Sequence, residues 1–238
     1  MTVPVLSFIH KGSFERFTPS SGGPEAPRAN RSRNAPMADD RNLTWHHGLI
    51  NRQDRNKFNG HNSGVVWMTG YSASGKSTLA HAMEDSLFRE RVRVYVLDGD
   101  NVRHGLNRDL GFSKEDRSEN LRRVAEVSKL FCDAGVVVFS AFISPYRSER
   151  ELARRCVGAE DFHEIYVKCP LEVCEDRDPK GIYKKVRRGE IARFTGISDP
   201  YEPPENPDLV LETDRFSLEE CVAQFRDYLR KKGLIRPD

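Results

Sequence analysis

From residue 64 onward, short runs of apolar and β-branched residues alternate with longer stretches in which apolar positions recur at helical spacing. The short runs, each a predicted strand, lie at residues 65–69, 92–97, 136–142, 165–167 and 209–211. The clearest helical stretches cover residues 113–135 and 217–232. Strands that alternate with helices are typical of a parallel sheet with helical crossovers. The pattern therefore predicts an α/β fold with a five-stranded parallel sheet flanked by helices.

Two segments lie outside this alternation. Residues 1–36 are rich in Pro, Ser, Gly, Asn and Arg without apolar periodicity, so we predict a disordered extension there and a folded domain over residues 37–238. The apolar patch at residues 3–9 of the extension has no basic flank before it and no clear cleavage site after it, so a secretory signal is not expected. Organellar targeting and a true start at Met37 are alternatives; a non-functional extension is preferred. Residues 196–208, rich in Pro and acidic residues, are predicted to form a surface loop.

Composition narrows the class of protein. The 238 residues are 37% hydrophobic and 31% charged, with a formal net charge of only +2, so the chain can bury a core and has no overall basic field for nucleic acid. No apolar run approaches the roughly 20 residues that a membrane span needs. The five cysteines are scattered and have no metal-ligand spacing. We expect reduced thiols and a cytoplasmic protein that binds neither nucleic acid nor membrane.

A phosphate-binding motif follows the first predicted strand. Residues 70–77 fit the pattern Gly-x4-Gly-Lys-Ser and open a helical stretch. Gly70 and Gly75 let the backbone wrap a phosphate, Lys76 is placed to reach the β- and γ-phosphates, and Ser77 to ligate Mg²⁺. The predicted ATP-binding residues are Gly70, Tyr71, Ser72, Ala73, Ser74, Gly75, Lys76, Ser77 and Thr78. The motif predicts a P-loop kinase or switch without specifying its second substrate.

Two carboxylates end the second predicted strand, where ligands bind in open α/β sheets. Asp100 is our candidate to hold Mg²⁺ beside Ser77 and to orient or deprotonate a hydroxyl group. Asp98 either shares that work or only caps the following turn, since Asp often closes such turns.

Further blocks of sequence carry a specific resemblance. Together with the P-loop, residues 100–112, 116–123, 142–147, 178–185 and 194–197 resemble the adenylylsulfate kinase family, in order along the chain from about residue 45 to the C-terminus. The resemblance implies a three-layer P-loop fold with a lid, and transfer of the γ-phosphate of ATP, with Mg²⁺, to the 3′-hydroxyl of adenosine 5′-phosphosulfate (APS) in sulfate activation. It also implies a homodimer that performs only this kinase step.

The resemblance also implies an acceptor site. A phosphosulfate needs guanidinium groups for its oxyanions, and an adenine needs flat side chains for stacking. The substrate-binding positions carried over from the family are Asp100, Arg103, Phe112, Arg117, Asn120, Ile143, Ser144, Lys180 and Phe194. Considered one at a time, each arginine is more often a solvated surface residue, and each phenylalanine more often a core residue, than a ligand-binding residue.

Ser144 occupies the position at which family members are commonly described with a phosphoserine intermediate. A covalent route needs a base and two in-line transfers, whereas direct transfer needs only alignment and charge neutralisation. We therefore expect direct attack, with Asp100, Lys76 and Ser144 as the catalytic-site residues and Ser144 without a nucleophilic role.

Basic residues are concentrated in residues 176–193, called the lid below. They are Arg177, Lys180, Lys184, Lys185, Arg187, Arg188 and Arg193. In a P-loop kinase such a segment indicates a lid that closes over phosphates, with Lys180 as its functional member. A solvated helix face and a nucleic-acid patch are the alternatives.

The P-loop departs from the family pattern at two positions. Ala73 replaces a glycine and Tyr71 a leucine. If position 73 has a positive φ, alanine costs about 1 kcal/mol in strain, which predicts slightly altered nucleotide affinity. Two other functions remain open from the residues alone: a P-loop kinase for another small acceptor, and a non-catalytic nucleotide switch.

Overall fold

The computed structural model describes residues 44, 46 and 48–236. Its sheet has five parallel strands, β1 (Gly64–Thr69), β2 (Val94–Asp98), β3 (Val137–Ala141), β4 (Phe162–Lys168) and β5 (Leu209–Glu212), in the order β2-β3-β1-β4-β5. The five predicted strands are confirmed. β1 is buried along its whole length because strands pair with it on both sides and helices cover both faces.

The helices in the described part of the chain are α1 (Arg52–Asn59), α2 (Lys76–Arg89), α3 (Gly99–His104), α4 (Lys114–Asp133), α5 (Arg147–Val157), α6 (Leu171–Arg177), α7 (Ile182–Arg187) and α8 (Leu218–Lys231). The two helices predicted at residues 113–135 and 217–232 are α4 and α8. Ser113 caps α4 by accepting from the Asp116 backbone N–H, and Ser217 forms a capping box with Glu220 at α8. Polar side chains thus fix where both helices begin.

Two apolar layers hold the helices on the sheet. On one face, Met68 and Phe139 pack with residues of α2 and α8, such as Met83 and Phe225. On the other face, Trp67 packs among residues of α4 and α5. Each fully buried side chain of this size contributes about 1.5–3 kcal/mol by leaving water. The predicted three-layer arrangement is confirmed, and it fixes the carboxyl edge of the sheet from which the site is built.

Residues 194–208, called the strap below, cross this carboxyl edge between α7 and β5. The strap is a loop, as predicted for residues 196–208, but part of it packs inward. The Tyr201 ring lies 4.8 Å from Tyr71 of the P-loop and 6.2 Å from Tyr166 of β4. The Glu202 backbone N–H donates to the Pro145 carbonyl at 2.9 Å. The strap is therefore attached to both the P-loop and the segment that follows β3.

The N-terminal extension predicted over residues 1–36 lies outside the described residues, as does the domain boundary at residue 37, and both stay predictions. Among the helices that the structure describes, none combines the length and apolar character required to cross a membrane.

Candidate active site

The P-loop joins the end of β1 to the start of α2. Gly70 has a φ of 152° and Gly75 a φ of 100°, values that L-residues rarely adopt. A side chain at Gly70 would also collide with the Val167 carbonyl of β4. Both glycines are thus required by the backbone path, which leaves the N–H groups at the start of α2 available to an anion.

Ala73 lies inside this loop with a φ of 61°. The positive φ considered from the sequence is therefore present, and an alanine there carries about 1–2 kcal/mol of strain. Ala73 and Tyr71 pack against a small apolar cluster formed by Cys169, Cys174 and Tyr183 at the start of the lid. Burial of these side chains helps to hold the strained loop in place.

Lys76 is folded over its own loop. Its Nζ donates to the carbonyls of Gly70 at 2.9 Å and Tyr71 at 2.6 Å. Burial disfavours the charged ammonium and lowers the pKa of Lys76 to about 8. The amine therefore lies where a phosphate would replace the two carbonyls, and a bound anion would stabilise its charged form.

Ser77 faces the first of the two carboxylates at the end of β2. The Ser77 hydroxyl donates to Asp98 Oδ2 at 2.6 Å, while Asp98 Oδ1 accepts from the Asp100 backbone N–H at 3.0 Å. Asp98 thus caps α3 and also touches the P-loop serine. The sequence leaves these two roles as alternatives, whereas the structure shows Asp98 making both contacts.

This pair of oxygen donors fits Mg²⁺, which prefers oxygen and takes one or two carboxylates, the rest of its ligands being phosphates and water. The described residues hold no group of three or more His, Cys, Asp or Glu that would form a complete metal site by themselves. The arrangement therefore suits a metal that arrives with a nucleotide.

Asp100 points elsewhere. Its carboxylate forms an ion pair with Lys180 of the lid, and the side chains are 65% and 57% exposed, respectively. The carboxylate raises the pKa of Lys180 because it accepts a hydrogen bond from the ammonium. The structure thus brings together two predicted site residues that are 80 positions apart, at an open position where a substrate hydroxyl has access.

Ser144 is enclosed. It is 2% exposed with a φ of 39°, and its hydroxyl accepts a hydrogen bond from Trp67 Nε1 at 3.1 Å. Its neighbour Ile143 accepts from Thr69 Oγ1 at 2.7 Å through its carbonyl. The hydroxyl of Ser144 is therefore held inside the fold by a partner that carries no base.

Arg103, Phe112 and Arg117 form one group at the other side of this edge. The Arg103 guanidinium lies 4.4 Å from the centre of the Phe112 ring, which is 71% exposed. Arg117 donates to the Phe112 carbonyl at 2.9 Å and forms an ion pair with Asp199 of the strap at 3.1 Å. Two cations and an accessible aromatic face are thus assembled where α4 meets the strap.

Two further predicted residues, Asn120 and Phe194, have contacts of their own. The buried Asn120 accepts through Oδ1 from Asn107 Nδ2 at 2.9 Å, so it anchors the turn that follows α3. Phe194 packs edge-on to Tyr183 at 5.0 Å. Tyr183, which the sequence analysis did not select, also donates through its hydroxyl to the Ser72 carbonyl at 3.0 Å. It connects the lid to the P-loop.

Three of the seven basic side chains of the lid contact groups other than the predicted site residues. Arg187 pairs with Glu175 at 2.7 Å, Arg188 pairs with Glu190 at 2.8 Å, and Arg177 donates to the Thr213 carbonyl at 2.6 Å. Lys180, in contrast, forms its ion pair with a predicted site residue, Asp100.

The comparisons with known proteins agree with this geometry. A family model described as adenylylsulphate kinase matches residues 62–212. An adenylyl-sulfate kinase from Acaryochloris marina is 54% identical, covering 82% of this chain and 96% of that protein. A probable adenylyl-sulfate kinase from Bacillus subtilis is 51% identical, covering 84% of this chain and 100% of that protein.

A solved structure extends the similarity to three dimensions. The Mycobacterium tuberculosis APS kinase in complex with AMPPNP and APS superposes with a TM-score of 0.68 at 49% sequence identity, covering 71% of this chain and 99% of that chain. The family resemblance inferred from the sequence is thereby confirmed. The chain belongs to the adenylylsulphate kinase family.

Proposed function

We propose that this protein is an adenylyl-sulfate kinase, which transfers the γ-phosphate of ATP to the 3′-hydroxyl of APS and releases ADP and 3′-phosphoadenosine 5′-phosphosulfate. The observation that carries the proposal is the pairing of two unlike sites on one sheet edge. A backbone cradle with Lys76 suits a triphosphate, and the group of Arg103, Phe112 and Arg117 suits an anion attached to a flat base.

On the nucleotide side, we infer that Lys76 and the N–H groups at the start of α2 bind the β- and γ-phosphates. Ser77 and Asp98 would hold the Mg²⁺ that accompanies ATP, because their oxygens are 2.6 Å apart. That ion would neutralise charge on the transferring phosphate when bound. Asp100, our sequence-based metal ligand, is directed at Lys180 instead, which favours Asp98 for this role.

On the acceptor side, Asp100 orients the 3′-hydroxyl and accepts its proton as the oxygen attacks the γ-phosphorus. The new O–P bond forms while the bond to the β-phosphate oxygen breaks, so ADP leaves with the electron pair. Lys180 holds the Asp100 carboxylate in place until the substrate is bound. Arg103 and Arg117 bind the phosphosulfate, Phe112 and Phe194 border the adenine, and Ile143 and Asn120 shape the pocket.

Direct transfer is favoured over a phosphoserine intermediate. The Ser144 hydroxyl is buried and held by Trp67 Nε1 at 3.1 Å, an indole group that cannot accept its proton. A nucleophilic serine needs an adjacent base. Ser144 therefore contributes through the backbone conformation of its turn, which positions Ile143 at the pocket.

The test is an ADP-release assay with MgATP that compares APS with AMP, using Asp100→Asn as the altered enzyme. Asp109→Asn is the matched control, because Asp109 is an exposed carboxylate that pairs with Arg123 at 2.7 Å. We expect turnover with APS alone, lost in Asp100→Asn and kept in Asp109→Asn. Preference for AMP would indicate a nucleotide kinase. ATP binding without turnover on either acceptor would indicate a nucleotide switch.

We also propose a cytoplasmic homodimer. Phe88 and Tyr95, which are 73% and 49% exposed, line one surface groove beside the edge strand β2, and a shared groove with exposed apolar groups suits an interface between two copies of the chain. Light scattering after size exclusion should give twice the chain mass of 27.2 kDa. A mass equal to that of one chain would contradict the proposal.

A further inference from the structure

Arg150 of α5 is a buried cation that contacts the Ser144 turn and the strap. Its side chain is 3% exposed. The guanidinium donates to Glu164 Oε1 at 2.6 Å, to the Ser144 carbonyl at 2.7 Å and to the Glu202 carbonyl at 2.8 Å. The three acceptors belong to β4, to the segment after β3 and to the strap. One side chain therefore ties together three parts of the chain that are distant in sequence.

The first of these ties fixes a strained turn. Ser144 has a φ of 39°, a conformation that persists only where surrounding contacts impose it. Its carbonyl is held by Arg150, and Thr69 Oγ1 lies 3.3 Å from the same carbonyl oxygen. Because Ile143 precedes this turn directly, its position at the pocket depends on the same contacts.

The second tie fixes the strap. Glu202 is bound at three points, since its N–H donates to Pro145, its carboxylate accepts from the Arg147 N–H at 2.8 Å, and its carbonyl accepts from Arg150. Three residues earlier in the strap, Asp199 pairs with Arg117 at 3.1 Å. The guanidinium of Arg150 is thus connected through a short stretch of backbone to the acidic partner of Arg117.

We propose that Arg150 is a positioning residue for the acceptor substrate. It touches neither substrate; it holds the Ser144 turn and the strap in the arrangement that binds the phosphosulfate-bearing nucleotide. This inference rests on the proposed function. The P-loop, in contrast, is shaped by its own glycines and by contacts with the lid. The strap reaches it through the Tyr201 ring packed on Tyr71, so the ATP site depends on Arg150 less than the acceptor side does.

The test compares Arg150→Lys and Arg150→Met with Arg154→Lys. Arg154 lies one turn further along α5 and approaches the same carboxylate, with Nη2 3.7 Å from Glu164 Oε2. Its other contacts are with Asp208 and Phe162 rather than with the Ser144 turn or the strap. Loss of charge-assisted hydrogen bonds should raise the KM for APS about tenfold or more in Arg150→Lys, and further in Arg150→Met. The KM for ATP should change less than about threefold, and Arg154→Lys should change neither constant beyond that.

A second readout does not depend on activity. Hydrogen exchange of peptides covering residues 143–147 and 199–204 should be faster in Arg150→Lys than in the wild type and in Arg154→Lys, while exchange in β1 stays unchanged. Equal rises in both KM values, or unchanged exchange at these peptides, would overturn the inference. If Arg150→Met does not fold, Arg150→Lys decides. A wild-type protein without APS turnover would contradict the proposed function, and the exchange experiment would still test the role of Arg150.

Discussion

The nucleotide half and the acceptor half of this site are built in different ways. The nucleotide half uses nine neighbouring residues, and its shape comes from backbone conformation at Gly70, Ala73 and Gly75. The acceptor half uses side chains from α3, α4, the lid and the strap, joined by contacts such as Arg117 with Asp199 and Lys180 with Asp100. A backbone cradle depends on a local motif, whereas a side-chain pocket depends on the whole fold.

The largest expected effect separates the two carboxylates at the boundary between these halves. Asp98→Asn should reduce kcat roughly a hundredfold or more and raise the Mg²⁺ concentration for half-maximal rate, because Asp98 and Ser77 form the proposed metal pair. Asp100→Asn should reduce kcat without that change in Mg²⁺ requirement. Magnesium titrations of both variants provide the check. If only Asp100→Asn raised the Mg²⁺ requirement, Asp100 rather than Asp98 would be the metal ligand.

The next effect concerns the acceptor half alone. Arg117→Met removes a cation that contacts the Phe112 carbonyl and Asp199, so the KM for APS should rise about ten- to a hundredfold with little change in the KM for ATP. Arg123→Met is the control on the same helix, because Arg123 pairs with Asp109 and Glu119 instead. Steady-state kinetics with each substrate varied in turn provides the measurement. Equal effects of the two variants would place Arg117 outside the pocket.

The difference between the two halves also separates what the sequence determines by itself from what depends on the fold. The strands, the caps at Ser113 and Ser217, and the glycines of the P-loop were predictable because local pattern and backbone geometry decide them. The dual role of Asp98 was not, since it depends on the distance between the end of β2 and the start of α2.

Long-range contacts explain the remaining gaps. Trp67 reads as a core residue of β1, and only the fold places its indole N–H on the Ser144 hydroxyl. Tyr201 lies in a proline-rich loop that predicts exposure, yet its hydroxyl is 3.0 Å from Thr69 Oγ1. A family resemblance supplied the acceptor residues, because their separation in sequence gives no local pattern to recognise.

The charged groups of the two halves predict a difference in pH dependence. Burial lowers the pKa of Lys76 to about 8 in the free protein, and bound phosphate should raise it. The favourable contribution of Lys76 to ATP binding is then fully present below pH 8 and lost as the pH rises towards the pKa of the complex. Affinity for ATP should fall about tenfold between pH 7 and pH 9.

The acceptor half should not share this behaviour, because its arginines stay charged in this range and the Asp100 carboxylate raises the pKa of Lys180. Calorimetry at both pH values, in two buffers with different ionisation enthalpies, should show proton uptake with ATP and little with APS. Equal pH dependence for the two ligands would show that Lys76 does not control ATP binding between these values.

The smallest expected effect tests whether the backbone of the nucleotide half is under strain. Ala73→Gly should relieve the cost of a φ of 61°, offset in part by the greater freedom of glycine in the unfolded chain. The free energy of unfolding should therefore rise by no more than about 1 kcal/mol, and the affinity for ATP should rise about two- to threefold.

Ala134→Gly is the control, because Ala134 has a φ of −69° and the substitution there adds only freedom in the unfolded chain. It should be destabilised by about 0.5–1 kcal/mol in the same urea titration. If both variants lose stability equally, the loop at Ala73 is not strained, and the departure from glycine has no energetic consequence.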